Sequence, residues 1–196
     1  MLFRSQRRRL RTNGGAIRTK ELKQQKENPY YGLRKAIAEG ELVRVKQGVY
    51  MLPSELADTM VDIQRIVPDG VLCLYSAWSY YELTTQIPNA YYVAVEMHRR
   101  VVVPENPRIQ VCYWQQKFCD LGKVEADIAG HHVLISDVEK SVCDAVKFRN
   151  KIGMDVCTEI VKNYMRRKDK NLTKLMDYAG KLRVSKIMTN YIEIQL

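Results

Sequence analysis

A chain of 196 residues can hold one ordinary domain, or a small domain followed by a larger one. Hydrophobic residues at 46% suffice for a packed core, and the absence of any run of about 18 apolar residues excludes a membrane-spanning helix. The net charge of +10 makes a polyanionic partner the first class to consider.

The charge is not evenly spread. Residues 1–52 carry 13 Lys and Arg against 4 Asp and Glu, residues 53–161 carry 10 against 15, and residues 162–186 carry 9 against 2. Basic ends around an acidic middle are the pattern of separate surfaces meeting separate partners. The first residues are rich in arginine (Arg4, Arg7, Arg8, Arg9, Arg11), but no apolar segment or cleavage site follows, so no signal peptide is expected and the protein is placed in the cytoplasm. The five cysteines (Cys73, Cys112, Cys119, Cys143, Cys157) are odd in number, form no CxxC pair and sit mostly in apolar runs, as buried reduced thiols do.

Leu2, Phe3 and Leu10 among arginines predict a short first helix, ended by the turn Asn13-Gly14-Gly15. Thr19 caps a second helix, Lys20 to about Lys26, with Leu22 inward. Asn28 and Pro29 open a third: asparagine accepts from the unpaired amides of a first turn, and proline lacks the amide that would go unpaired. This helix runs to about Glu39, with Gly40 closing it. Tyr30, Leu33 and Ile37 recur at helical spacing and face the core, leaving Tyr31, Arg34, Lys35 and Ala38 outward. Leu42–Val45 and Val49–Leu52 flank a turn at Lys46-Gln47-Gly48 and predict a hairpin.

Three helices and a basic hairpin are the order of a winged helix-turn-helix, whose third helix enters the major groove of double-stranded DNA. The expected contacts are Lys20 and Lys23 of the second helix, Tyr31, Arg34 and Lys35 of the third, and Arg44, Lys46 and Gln47 of the wing. Arg34 has the chemistry to read a guanine edge.

After a linker at 53–58, residues 59–196 predict a larger α+β domain ending in a run of helices. Thr59–Val67 reads as a helix stopped by Pro68-Asp69-Gly70, and Leu72–Leu83 as a largely buried one. Strands are expected at Tyr91–Glu96, Ile109–Trp114, Val124–Ile128 and His132–Ile135. Asp137 caps a helix to about Arg149, with Val138, Val142, Ala145 and Val146 on one face. Met154–Arg167 follows, then Leu172–Leu182 with Leu172, Leu175, Ala179 and Leu182 inward, and a short last helix at Ser185–Ile192.

This domain offers little for catalysis. His131-His132 lack companion ligands at zinc spacing, and no P-loop, GxGxxG or GxSxG is present, so neither cofactor nor metal is expected. Asp137, Glu139 and Asp144 are the residue types of a metal-dependent nuclease, but helical spacing directs Asp137 and Glu139 to different faces, and Asp137 serves better as a cap. A binding protein is therefore expected rather than an enzyme. The basic carboxy-terminal stretch, with Lys162, Arg166, Arg167, Lys168 and Lys174, is either a solvated face or a second polyanion surface. Between Lys162 and Lys174 the one aromatic residue, Tyr164, falls on the inward face of its helix, so stacking on single strands has no support in the sequence.

The run GGAIRTKELKQQKENPYYGLRKAIAEGELVRVKQGVYML (14–52) resembles the winged helix at the start of AbiEi-type antitoxins. The resemblance continues in VLCLYSAWSYYELTTQIPNAYYVAV (71–95) and ISDVEKSVCDAVKFRNKIGMDVCTEIV (135–161), and so extends over about residues 14–190. It implies an antitoxin of a bacterial type IV toxin–antitoxin system. Such a protein binds inverted repeats in its own promoter and represses the operon. A separate carboxy-terminal domain neutralises a nucleotidyltransferase toxin without a stable complex. The alternatives are a winged-helix repressor whose second domain senses a ligand or partner, and a DNA-guided metal-dependent nuclease.

Overall fold

The computed structural model describes residues 16–18, 29–46, 48–51, 63–105 and 107–194. The two helices expected before Pro29 and the linker at 53–58 lie outside the described residues. The chain divides into two compact units, residues 1–70 with 100–109 and 125–133, and residues 71–99, 110–124 and 134–196.

In the first unit, helix α1 (Pro29–Ala38) starts at the proline, as its missing amide predicts. Its end is closed by two backbone bonds, Gly40 N–H to Ile37 O at 3.1 Å and Glu41 N–H to Ala36 O at 2.8 Å, with Gly40 at φ 71. This termination needs one left-handed residue, which glycine supplies without a Cβ penalty. Leu33, Ala36 and Leu42 are buried, whereas Ile37, expected inward, is 36% exposed. The reason is the fold-back after Gly40: Leu42 N–H donates to Ala36 O, so the chain crosses the helix over Ala36 and not over Ile37.

The hairpin forms as expected, with β2 (Val43–Lys46) and β3 (Val49–Met51) paired antiparallel. A third strand, β1 (Ala16–Arg18), pairs with β3 from Ala16↔Met51 to Arg18↔Val49, giving the order β1-β3-β2. Three residues are too few for alternation to announce a strand, so β1 is an addition to the expected elements. Helix α2 (Ile63–Ile66) buries Ile63 and Ile66, and Val67 follows them inward.

The second sheet has the order β6-β5-β4-β8-β7. Its strands are β4 (Val71–Leu72), β5 (Tyr91–Glu96), β6 (Ile109–Trp114), β7 (Lys123–Ile128) and β8 (His131–Ser136). β4 runs antiparallel to β5 and parallel to β8. The β7–β8 turn places Ala129 at φ 51 and Gly130 at φ 79, the two positive values that a tight hairpin turn requires.

The helix expected over 72–83 is a correction. Val71–Leu72 is a strand, and helix α3 covers only Leu74–Tyr80. A short apolar run reads equally as buried strand or buried helix, because both bury every side chain. α3 ends as α1 does, with the N–H of Glu82, at φ 55, donating to Ser79 O and Leu83 N–H donating to Trp78 O. Helix α4 (Gln116–Asp120) is a further addition.

Four helices complete the chain: α5 (Val138–Ile152), α6 (Met154–Arg166), α7 (Leu172–Lys181) and α8 (Ser185–Glu193). On α5, α6 and α7 the buried residues Val142, Val146, Ile160, Tyr164 and Leu175 lie on the faces the periodicity predicts, in one cluster with Trp78, and Met188 of α8 joins them. Leu172, expected inward, is exposed at the first position of its helix.

Gly122 is a tight point of this unit, with fixed neighbours. It sits at φ 65, and a Cβ there would lie 2.8 Å from Lys140 Cβ and 2.9 Å from Asp137 Oδ1. Gly122→Ala is expected to lower stability by about 1–3 kcal/mol from the left-handed backbone alone, with the steric conflict added. The denaturant midpoint measures this, and an unchanged midpoint refutes it.

Candidate nucleic-acid interface and buried ion pairs

The amino-terminal candidate interface comprises α1 and the β2–β3 hairpin. With Leu33 and Ala36 facing inward, Arg34 and Lys35 are carried to solvent, and both are exposed. Lys35 lies 3.8 Å from Glu39 in an i,i+4 pair about half exposed on each side, a contact that holds little energy against a phosphate partner. Arg44 is exposed on β2, where its register partner is Tyr50. The ladder shifts register between Arg44 and Lys46, and Gly48 takes φ 79 in the connecting turn. Tyr31 lies on α1 and Lys46 at the end of β2. Lys20, Lys23 and Gln47 lie outside the described residues.

Of the carboxy-terminal cations, Lys162, Arg166 and Lys168 are exposed. Arg167 is held in place, with Nη1 donating to Tyr81 O at 3.0 Å and Nε and Nη2 donating to Asp169 at 3.0 and 2.8 Å. Lys174 Nζ lies 2.9 Å from Asp137 Oδ2 and 3.3 Å from Glu139 Oε2. Burial opposes the charge of Lys174, but the two carboxylates outweigh it and hold the ammonium above its ordinary pKa.

Those contacts correct the expectation that Asp137 and Glu139 diverge. Helical spacing does not apply to Asp137, which stands outside the helix at φ −64 and ψ 171 as the cap of α5. Its Oδ1 accepts from Lys140 N–H at 2.8 Å, the capping role expected, while Oδ2 turns to Lys174 and to the Tyr178 hydroxyl at 3.2 Å. Glu139 Oε1 accepts from the Tyr164 hydroxyl at 3.2 Å and from Asn171 N–H at 3.3 Å. One turn on, Lys140 and Asp144 form a fully enclosed pair, with Nζ 2.6 Å from both carboxylate oxygens and 4.4 Å from the centre of the Trp114 ring. Burial pushes the Asp144 carboxyl up, and the Lys140 ammonium partly opposes that. Each carboxylate therefore has ammonium and hydrogen-bond partners already. Among the described residues no group of three or more His, Cys, Asp or Glu is placed to hold a metal ion. Among them too, no helix is long and apolar enough to cross a membrane. Cys73, Cys119, Cys143 and Cys157 are buried, and Cys112 is half-buried on β6.

Helix α6 also clamps the loop after α3. Glu159 Oε2 accepts from the Thr84 hydroxyl at 2.9 Å, and Oε1 accepts from Thr85 N–H at 2.9 Å and the Thr85 hydroxyl at 3.0 Å. Asn163 Nδ2 donates to Leu83 O at 3.0 Å. Burial is the largest single influence on the Glu159 carboxyl and raises it, but the three donors together outweigh it and leave the carboxyl below its ordinary value. The stabilisation is thus present above the unfolded-state pKa and lost as pH falls through the lower folded value. The Thr85 amide resonance is expected to titrate with a midpoint below the usual glutamate range and to lose that titration in Glu159→Gln. A midpoint at or above that range argues against the clamp.

With these geometries in place, residues 5–53 match the family described as "Transcriptional regulator, AbiEi antitoxin". The amino-terminal segment is thus similar to AbiEi antitoxin transcriptional regulators, over about a quarter of the chain. A search of curated proteins finds no match for the chain. The AbiEi segment takes in α1 and the whole β1-β3-β2 sheet, so exposed Arg34, Lys35 and Arg44 all lie within it. Sequence reasoning missed the convergence of Asp137, Glu139 and Lys174, for which no local signal exists. Thirty-five or more residues separate the lysine from its carboxylates.

Proposed function

We propose that this protein is the antitoxin of a bacterial type IV toxin–antitoxin system and represses its own operon by binding inverted repeats in the promoter. The observation that carries the reading is the coincidence of the AbiEi segment with an exposed basic helix and wing. In it α1 enters the major groove, Arg34 meets a base edge, and Lys35 with the wing cations meets phosphates. The winged helix-turn-helix spans 1–52, a linker spans 53–58, and residues 59–196 neutralise a nucleotidyltransferase toxin without forming a stable complex with it. The acidic middle segment and the buried ion pairs fit a binding or scaffolding role, since the carboxylates are already neutralised by lysines.

The test is a shift assay with the full chain and the duplex upstream of its own gene, run at several salt concentrations. Saturable retention that favours the inverted repeats over scrambled duplex supports the reading. Equal affinity for both at every salt concentration removes the repressor half of it. Rescue of growth when the full chain is co-expressed with the neighbouring nucleotidyltransferase tests the antitoxin half.

A further inference from the structure

One stripe of α5, made by Lys140, Asp144, Lys147, Phe148 and Lys151, meets the end of β6 and helix α4. Trp114 of β6 has Lys140 Nζ 4.4 Å from its ring centre and Phe148 stacked on it with the centres 6.0 Å apart. Further along the stripe the lysines stand on phenylalanine rings. Lys147 Nζ is 4.2 Å from the centre of Phe118 and 5.9 Å from that of Phe148. Lys117 Nζ is 5.0 Å from Phe118, and Lys151 Nζ is 5.9 Å from Phe148. Lys147 thus shares one ring with Lys117 and the other with Lys151. Neither pair of ammonium groups can be farther apart than the sum of its two distances to the shared centre.

Three like charges are gathered here without an acid to offset them. Asp144 acts on Lys147, but both of its oxygens are held by Lys140 at 2.6 Å. Asp120 of α4 is paired with Lys123 at 2.6 Å, and Glu96, which acts on Cys119 of α4, pairs with none of the three lysines. Among the described residues, Lys117, Lys147 and Lys151 have no ion-pair partner. Lys147 is also partly buried, and burial, with Lys140 and Lys117 adding to it against Asp144, holds its ammonium below its ordinary pKa. A folded chain that keeps such a repulsive group has a use for it.

We infer that Lys117, Lys147 and Lys151, braced by Phe118 and Phe148, form a binding site for a compact oligophosphate, either inorganic triphosphate or the triphosphate of a nucleotide. Adjacent phosphates concentrate several negative charges in the small volume that the shared rings impose on the three ammonium groups. An extended polyanion fits less well, because residues 53–161 as a whole carry 10 basic against 15 acidic residues and repel it beyond the cluster. The rings hold the ammonium groups in place and already exclude part of their water, so less ordering and desolvation remain when the anion binds. The site lies wholly within the second unit and does not depend on the repressor reading.

The test is calorimetric titration of the full chain with inorganic triphosphate, ATP and GTP, at low salt and without divalent cations. Lys147→Gln is expected to weaken binding about tenfold or more, the worth of one charge-assisted contact, and Lys147→Arg to retain most of it. Without ligand, Lys147→Gln is expected to melt no lower than the wild type, because one of the mutually repelling charges is gone. Lys162→Gln/Arg166→Gln/Lys168→Gln removes three exposed cations elsewhere and leaves triphosphate binding unchanged, which separates a site from the effect of net charge. Equal affinity for all three ligands identifies the phosphates alone as what is read, and tighter binding of a nucleotide identifies the nucleotide as the source. The inference is overturned if the wild-type chain binds none of the three, if Lys147→Gln binds as wild type does or melts markedly lower, or if the distant triple variant loses as much affinity. It is equally overturned if oligo(U) or poly-glutamate, at equal concentration of charge, displaces triphosphate more effectively than ATP does.

Discussion

Asp144→Ala is expected to lower folding stability by about 3–5 kcal/mol, the largest single effect outside the apolar core. The Lys140 and Asp144 side chains are 0% and 2% exposed, and the ammonium touches both carboxylate oxygens. Deleting the acid leaves a positive charge enclosed among apolar neighbours with the Trp114 ring as its remaining support. Lys140→Met/Asp144→Leu removes both charges together, and it is expected to be close to neutral because two desolvation costs vanish with the one attraction. Urea midpoints of the three proteins decide the matter. A single substitution costing under about 1 kcal/mol would show the pair to be solvated, as surface pairs are.

Arg34→Ala is expected to weaken binding to the upstream duplex by roughly 5- to 150-fold, the worth of one bidentate base contact. Lys35→Ala is expected to lower the salt slope by about 0.9, the signature of one phosphate contact on duplex DNA. Both side chains are exposed, so neither substitution should move the melting temperature, and toxin neutralisation should persist. Loss of DNA binding and toxin rescue together in a folded variant would count against independent functions for the two parts of the chain. An Arg34→Ala protein that binds its operator normally would shift the recognition role away from α1.

The two results rest on different kinds of information. Arg34 and Lys35 are legible in the sequence because a helix has a fixed period. Pro29 marks the start and Gly40 the end, and the apolar positions between them leave these two residues outside. Even there the tertiary structure alters a detail, since the fold-back of Leu42 buries Ala36 and leaves Ile37 exposed. Helices α5 to α8 are legible in the same way, each having at least nine residues and a continuous apolar face. β1 and β4, of three and two residues, are strands only because β3, β5 and β8 present edges to them. No property of three residues taken alone can report such pairing.

The ion pairs and the clamp lie beyond the reach of local reading altogether. Lys174 meets Asp137 and Glu139 because α7 packs on α5, and Arg167 meets the Tyr81 carbonyl because α6 grips the loop that follows α3. By itself the sequence determined the charge blocks, the basic amino-terminal helix and hairpin, and the long amphipathic helices, all of which depend on spacing along the chain. Only the tertiary structure decided which cations are neutralised and which remain exposed. Those outcomes depend on distances between elements that the chain brings together only when its apolar faces are buried.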